Sequence, residues 1–278
     1  MTTKFDMTAI NDKVLSMMET YGTGWMKPWV DIYGGAMPCN AESKRQYTGF
    51  NPFILMSTPF TSRYWGNFNC WKRLGAHVKS GEKSTSVLFW KIINGKDEDG
   101  NPKTIPLMRT IALFNAQQVE GWTEPASTVT LYATQGSQLV DDLLTRHQVI
   151  IDYGGNKAAY IPSSDRIICP PAEAFKTEDG YDSTRLHELA HWTGHTSRLD
   201  RLDKHTSAEE ELVAELASLY MCMTLGVSKE IQPDHAQYLQ AWKERIKDDE
   251  WSFYKTSKLA TKVTEYLLAE KEEEQNDI

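Results

Sequence analysis

The stretch TRLHELAHWTGH, Thr184 to His195, holds His187, Glu188 and His191 in the pattern H-E-x-x-H. On a helix, positions four apart share a face about 5–6 Å apart, so His187 and His191 aim two imidazoles at one metal ion. Glu188, next to the first of them, is placed to take a proton from water held there. A zinc site of the peptidase kind takes three protein ligands and leaves a fourth position open. The third is sought in EEELVAELASLYM, Glu209 to Met221, where Glu211 and Glu215 lie four apart on one helical face. Glu211 is expected as the third ligand. Glu215, one turn later, is expected to hold a ligand histidine by its other ring nitrogen; the reverse assignment stays open. Glu209 and Glu210 are expected only to complement the helix dipole. His195 is the runner-up ligand, but Gly194 should break the helix before it. The longer pattern H-E-x-x-H-x-x-G-x-x-H fails, because Ser197 stands at its last position. Asp200, Asp203 and His205 follow in a charged loop, with surface or capping roles expected. Zn2+ suits this donor set, and Mn2+ or Co2+ is tolerated by it.

These residues need two helices. Leu186, Leu189 and Ala190 favour the first, with Ser183 or Thr184 as its cap and Gly194 as its stop. Leu212, Leu216, Leu219 and Tyr220 give the second its apolar stripe. Tyr181 enters the first helix near the site, where it packs or helps bind an oxyanion. Upstream, residues 137–151 read as a helix running into a strand. A meander across Ala159–Pro162 and Asp165–Cys169 then offers an edge strand for an extended peptide. Downstream, Tyr238, Trp242 and Ile246 mark one further helix, and Phe253, Leu259, Val263 and Leu267 another. The tail KEEEQNDI is expected to be solvated and frayed.

Composition divides the chain of 278 residues. Residues 1–125 carry 14 Lys+Arg against 11 Asp+Glu, 17 of the 30 aromatics and six of the nine tryptophans. The remainder carries 16 Lys+Arg against 27 Asp+Glu. Two such compositions predict two domains, 1–125 and 126–278, joined near 123–129. No apolar run approaches the roughly 20 residues that span a membrane, and the N-terminus lacks the apolar core of a signal peptide. The four cysteines have no CxxC spacing and read as reduced thiols of a cytoplasmic protein.

Residues 5–21 read as an amphipathic helix on Ile10, Val14, Met17 and Met18. From Lys44 to Lys91, eight basic residues meet a single acidic one, Glu82, with aromatics between them. Such a mixture suits single-stranded nucleic acid, because cations neutralise phosphates and aromatic faces stack on bases at about 1–3 kcal/mol each. Lys44, Arg45, Lys72, Arg73, Lys79 and Lys83 are the expected phosphate contacts, with Trp25, Trp29 and Tyr47 as stacking residues. Trp71 and Trp90 are expected in the core. Phe68 to Leu74 reads as a helix, Thr85 to Ile93 as a strand, Asn94 to Lys103 as an exposed hairpin tip, and the following segment as a returning strand.

Two blocks resemble a known family. GWMKPW, YTGFN, WKRLGAHVKSGEKS, VLFW and FNAQQVEGW are similar to the single-stranded-DNA-binding N-terminal domain of the ArdC-type antirestriction proteins of conjugative plasmids. AAYIPSSDRI, YDSTRLHELAHWTGHTSRLDR and EELVAELAS resemble that family's zincin-like metallopeptidase domain. The resemblance implies an α+β chain, with a small mixed DNA-binding domain followed by a zincin-like domain that carries the HExxH helix and a small antiparallel sheet. It implies a protein that protects incoming plasmid DNA from host restriction, with metal at His187 and His191 and Glu188 as base. The family's third-ligand helix matches EELVAE without separating Glu211 from Glu215. A host protein is then the expected peptidase target. The other readings are a passive DNA-binding shield with a structural metal, and a general metallopeptidase without a DNA role.

Overall fold

A computed structural model describes residues 7–26, 36–96, 102–125, 136–228 and 236–269. The N-terminal part starts with helix α1 (Met7–Tyr21), which buries Val14, Met17 and Met18. Four strands form a sheet: β1 (Cys39–Asn40), β2 (Tyr64–Gly66), β4 (Thr85–Lys96) and β5 (Pro102–Asn115), in the order β1-β2-β5-β4. β1 runs parallel to β2, and the other neighbours are antiparallel. β4 and β5 make the long hairpin that the sequence suggests; its tip, 97–101, lies outside the described residues. Helix α2 (Asn51–Met56) carries Pro52 in its first turn, which its fixed φ suits. Helix α3 (Phe68–Arg73) is capped by the Asn67 side chain, which accepts from the Cys70 N–H. A Cβ at Gly66 would stand 2.8 Å from Cys70 Sγ and 3.1 Å from the Trp71 ring, so glycine lets α3 lie directly on β2. A two-stranded ribbon, β3 (His77–Val78) with β6 (Val119–Glu120), completes this part.

The C-terminal part begins with helix α4 (Gly136–Arg146). Three strands follow, β7 (Ile151–Tyr153), β8 (Ala159–Ile161) and β9 (Arg166–Cys169), in the order β7-β9-β8. β8 and β9 pair antiparallel as expected, whereas β7 joins β9 in parallel, so the small sheet is mixed. Helices α5 (Glu178–Trp192), α6 (Ser207–Leu225), α7 (Ala236–Asp248) and α8 (Ser252–Leu268) complete the chain. Helix α5 starts earlier than expected. Its cap is Thr177, whose hydroxyl accepts from the Gly180 N–H, and Glu178 and Asp179 supply negative charge to the first turn. Ser183 and Thr184 are buried inside the helix and donate back to the Gly180 carbonyl. No helix among the described residues is long and apolar enough to cross a membrane. All four cysteines are free and buried. The linker expected near 123–129 extends beyond the described residues from 126 on, and the tail expected to fray lies outside them.

One hydrophobic cluster runs through both parts. Phe253 at the start of α8 is fully buried, with its ring 5.0 Å from Phe53, 5.6 Å from Phe50 and 6.0 Å from Trp25. Polar contacts lock the seam. The Tyr220 hydroxyl donates to the Gly49 carbonyl at 2.7 Å, and the Gly49 N–H donates to Thr261 Oγ1 at 2.7 Å. Asn11 Nδ2 donates to the Glu250 carbonyl at 2.8 Å. A second, smaller cluster around Cys70, Trp71 and Val119 belongs to the N-terminal part alone. Because the main core is shared, Phe253→Ala is expected to cost about 3–5 kcal/mol. Denaturant curves followed by tryptophan fluorescence and by far-UV circular dichroism should coincide and shift together.

Candidate metal centre

Residues 182–190 of α5 are all buried, which holds the helix rigid where it carries His187 and Glu188. Helix α6 packs along it and is fixed at its start by a reciprocal box. The Thr206 hydroxyl accepts from the Glu209 N–H, and the Glu209 carboxylate accepts from the Thr206 N–H. The crossing brings three donors together. His187 Nε2 lies 3.0 Å from Glu211 Oε1 and 3.2 Å from His191 Nε2, and His191 Nε2 lies 3.5 Å from Glu211 Oε2. Ligand atoms about 2.0–2.1 Å from a tetrahedral ion stand about 3.3 Å from one another, so the three positions fit a small divalent cation. Among the described residues, His187, His191 and Glu211 are the group whose donor atoms lie close enough to hold an ion.

Each imidazole is anchored from behind. His187 Nδ1 faces Glu215 Oε2 at 3.3 Å, and His191 Nδ1 faces Glu210 Oε1 at 3.1 Å. A carboxylate at Nδ1 fixes the proton there and turns the Nε2 lone pair towards the centre. Glu210 therefore does more than complement the helix dipole. It is buried and takes both ends of the Arg201 guanidinium, with Nε to Oε2 at 2.9 Å and Nη2 to Oε1 at 2.8 Å. Arg201 also donates to Thr193 Oγ1 and to the Ala190 carbonyl, closing the end of α5. Although burial opposes it, hydrogen bonds from His191 and Arg201 hold Glu210 below the usual carboxylate range. Burial also disfavours charge on His191, yet Glu210, Glu211 and Glu188 raise it to about 10. The field that attracts a proton at this point attracts a cation as well. Glu188 is buried and accepts no hydrogen bond from another described residue.

His195 is not part of this group. Helix α5 ends at Trp192, and His195 Nδ1 pairs with Ser197 Oγ at 2.8 Å. Gly194 sits where a Cβ would come within 2.8 Å of Leu202 and 3.0 Å of the His191 carbonyl, so the chain turns away there. Asp200 pairs with Lys204 on the surface, and Asp203 is exposed. Tyr181 packs against Phe175 at 5.4 Å and under the Arg185 guanidinium at 4.2 Å. Burial and a hydrogen bond with Tyr153 raise its hydroxyl well above the usual range. Neither Arg201 nor the place of Glu210 behind His191 is legible in the sequence. Adjacent glutamates look alike before packing sets their rotation, and Arg201 lies in a loop with no periodicity.

The basic–aromatic surface is redistributed. Trp25 is fully buried against Phe253, so it is a core residue and presents no face to a base. Trp29 lies outside the described residues, as does the side chain of Trp90, while Trp71 is buried as expected. Tyr47 packs half-buried against the core. Arg73 is held by Glu42 through two bonds of 2.8 and 2.6 Å, and Lys79 Nζ donates to the Gln117 carbonyl. Lys44 is exposed, with its ammonium 4.6 Å from the Tyr64 ring. Arg45, Lys72 and Lys83 are exposed. Phe68 is 57% exposed on α3, one turn before Lys72 on the same face.

Two family descriptions match this chain: a zincin-like metallopeptidase over residues 138–258, and the N-terminal domain of anti-restriction factor ArdC over 7–119. Among solved structures, the metal-free antirestriction ArdC protein from plasmid R388 is similar with a TM-score of 0.78 at 30% identity. Its Mn(II)-bound form is similar at 0.75 and 29%. Each likeness covers 95% of this chain and 97% of the other. The protein y4eC of Sinorhizobium fredii is 27% identical over 96% of this chain and 93% of its own length. DNA primase TraC of Escherichia coli is 30% identical over 94% of this chain, which spans 20% of that relative and 27% of a second TraC.

Removing the carboxylate behind His191 tests this arrangement. Glu210→Gln is expected to weaken divalent-metal affinity about 10–100-fold, measured by isothermal titration calorimetry with Zn2+ and Mn2+. His195→Ala should leave it unchanged.

Proposed function

The chain belongs to the ArdC antirestriction family, and from that premise we propose that it protects incoming plasmid DNA from host restriction in the cytoplasm. In this reading the N-terminal part, 1–125, binds single-stranded DNA. The C-terminal part, 126–278, holds a divalent metal, zinc or manganese, on His187, His191 and Glu211, and cleaves a host protein brought near by the DNA. The observation that carries it is the convergence of three donor atoms from two helices, with the buried Glu188 next to the first ligand.

A divalent ion held by His187, His191 and Glu211 would supply Lewis-acid polarisation of a carbonyl and would lower the pKa of a water bound to it. The residues of the chain do the rest. Glu215 and Glu210 keep the two imidazoles in the orientation that ligation needs. Glu188 accepts the proton of the attacking water as the new C–O bond forms. It returns that proton to the amide nitrogen as the C–N bond breaks. A site serving only to stiffen the fold has no use for a carboxylate at this position.

On the DNA side, Phe68 and Lys72 pair an exposed ring with an exposed cation on one helical face, the combination that stacks a base and neutralises its phosphate. Phe68→Ala is expected to cost about 1–3 kcal/mol in affinity for single-stranded DNA, read by fluorescence anisotropy at fixed salt.

The whole reading is tested by transfer of unmethylated plasmid DNA into a restricting recipient, comparing the wild type with a folded, metal-loaded Glu188→Ala protein. Loss of protection is expected. Full protection by the variant would remove peptidase chemistry from the mechanism and leave the N-terminal surface as the protective element.

A further inference from the structure

The C-terminal part is acidic as a whole, yet its last helix is not. Helix α8 carries Lys255, Lys258 and Lys262 against one glutamate, Glu265. Lys255 is held by Asp249 at 2.8 Å. Lys258 and Lys262 are exposed, lie four residues apart on one face, and line a groove of about 400 Å³ between α8 and the N-terminal part. The opposite wall includes Phe89 of β4, half-buried, and Tyr254 stands beside the lysines. Arg109 faces Phe89 across the hairpin and places its guanidinium 5.6 Å from that ring.

The groove is rigid. Asn51 clamps β4 with two bonds to Leu88, one to its carbonyl at 2.8 Å and one from its N–H at 2.9 Å. Thr261, between the two lysines, accepts from the Gly49 N–H. Tyr254 is fixed by edge contacts with Phe50 at 6.2 Å and Trp251 at 5.6 Å. A preformed groove with two cations on one wall and an aromatic ring on the other has the chemistry of a single-stranded nucleic-acid path. Glu265, one turn past Lys262, also lines the groove and closes its cationic face at that end.

We propose that this groove continues the single-strand surface across the seam, with Lys258 and Lys262 contacting phosphates and Phe89 offering a ring to a base. It rests on the DNA-binding reading above and adds to it, because the matched family spans stop at residues 119 and 258 and leave Lys262 outside both. The bound strand then lies on α8, which packs along α6, the helix that carries Glu211 and Glu215.

The test uses the full chain and a fluorescein-labelled oligothymidylate, with anisotropy titrations over a range of salt. Lys258→Gln/Lys262→Gln is expected to weaken binding about tenfold at low salt and to flatten the log–log salt slope by about 1.4, since each phosphate contact to a single strand contributes about 0.7. Lys258→Arg/Lys262→Arg should bind like the wild type. Lys157→Gln/Lys247→Gln, with the same change in net charge outside the groove, should keep the wild-type slope. Unchanged affinity and slope in the first variant, while Phe68→Ala weakens binding, would overturn the groove and leave the DNA-binding reading standing. A wild-type protein that fails to bind the oligonucleotide would overturn both. An equal loss in the Lys157/Lys247 control would overturn the groove by reducing its effect to net charge.

Discussion

The crossing of α5 and α6 is the constraint on which the rest of the structure depends. It places four carboxylates, Glu188, Glu210, Glu211 and Glu215, around two imidazoles in a largely buried space, with Arg201 paired to Glu210. Like charges about 4 Å apart repel by about 4 kcal/mol at the effective dielectric of a partly buried site. Such a cluster persists only because the surrounding helices are over-determined by packing. The buried faces of α5 and α6, the Thr206 box and the Arg201 contacts to the end of α5 all do this. The same concentration of negative charge attracts a cation to the space between them.

The two histidines of the H-E-x-x-H pattern are supported differently. His191 is backed by Glu210, whose charge is balanced by the buried Arg201. His187 is backed by the buried Glu215 on the interior side of α6. Arg201 therefore links the loop after α5 to the first turn of α6, so the conformation of that loop bears directly on the orientation of His191.

The two parts of the chain differ in charge but share a core. Phe253 sits among Trp25, Phe50 and Phe53, and Tyr220 reaches Gly49 from α6, the helix that carries Glu210 and Glu211 near its start. A rigid helix thus runs from the metal donors to the seam. Large aromatic side chains stabilise such a seam through buried area and through edge contacts worth about 0.5–1.5 kcal/mol each. That use of Trp25 competes with base stacking, because a ring with both faces covered cannot receive a base. Among the described residues of the N-terminal part, Phe68 is instead an aromatic open to a partner, on a short helix whose buried face is made by Cys70 and Trp71.

By itself the sequence determined what local spacing determines. The H-E-x-x-H pattern on a helix, the second acidic helix with Glu211 and Glu215 a turn apart, the apolar stripes of the last two helices and the long β4–β5 hairpin all follow from periodicities of 3.6 and 2. The structure places Glu211 beside both Nε2 atoms and Glu215 behind His187. Only tertiary structure decided which of the neighbouring glutamates turns inward, because adjacent residues on a helix differ by about 100° and the packing partner sets the zero of that rotation. It likewise recruited Arg201 from an aperiodic loop, capped α5 at Thr177 instead of Ser183 or Thr184, and turned β7 parallel to β9. It also sent Trp25 into a core made jointly by both ends of the chain, since composition reports which residues have aromatic faces and only the packed structure decides whether those faces are covered.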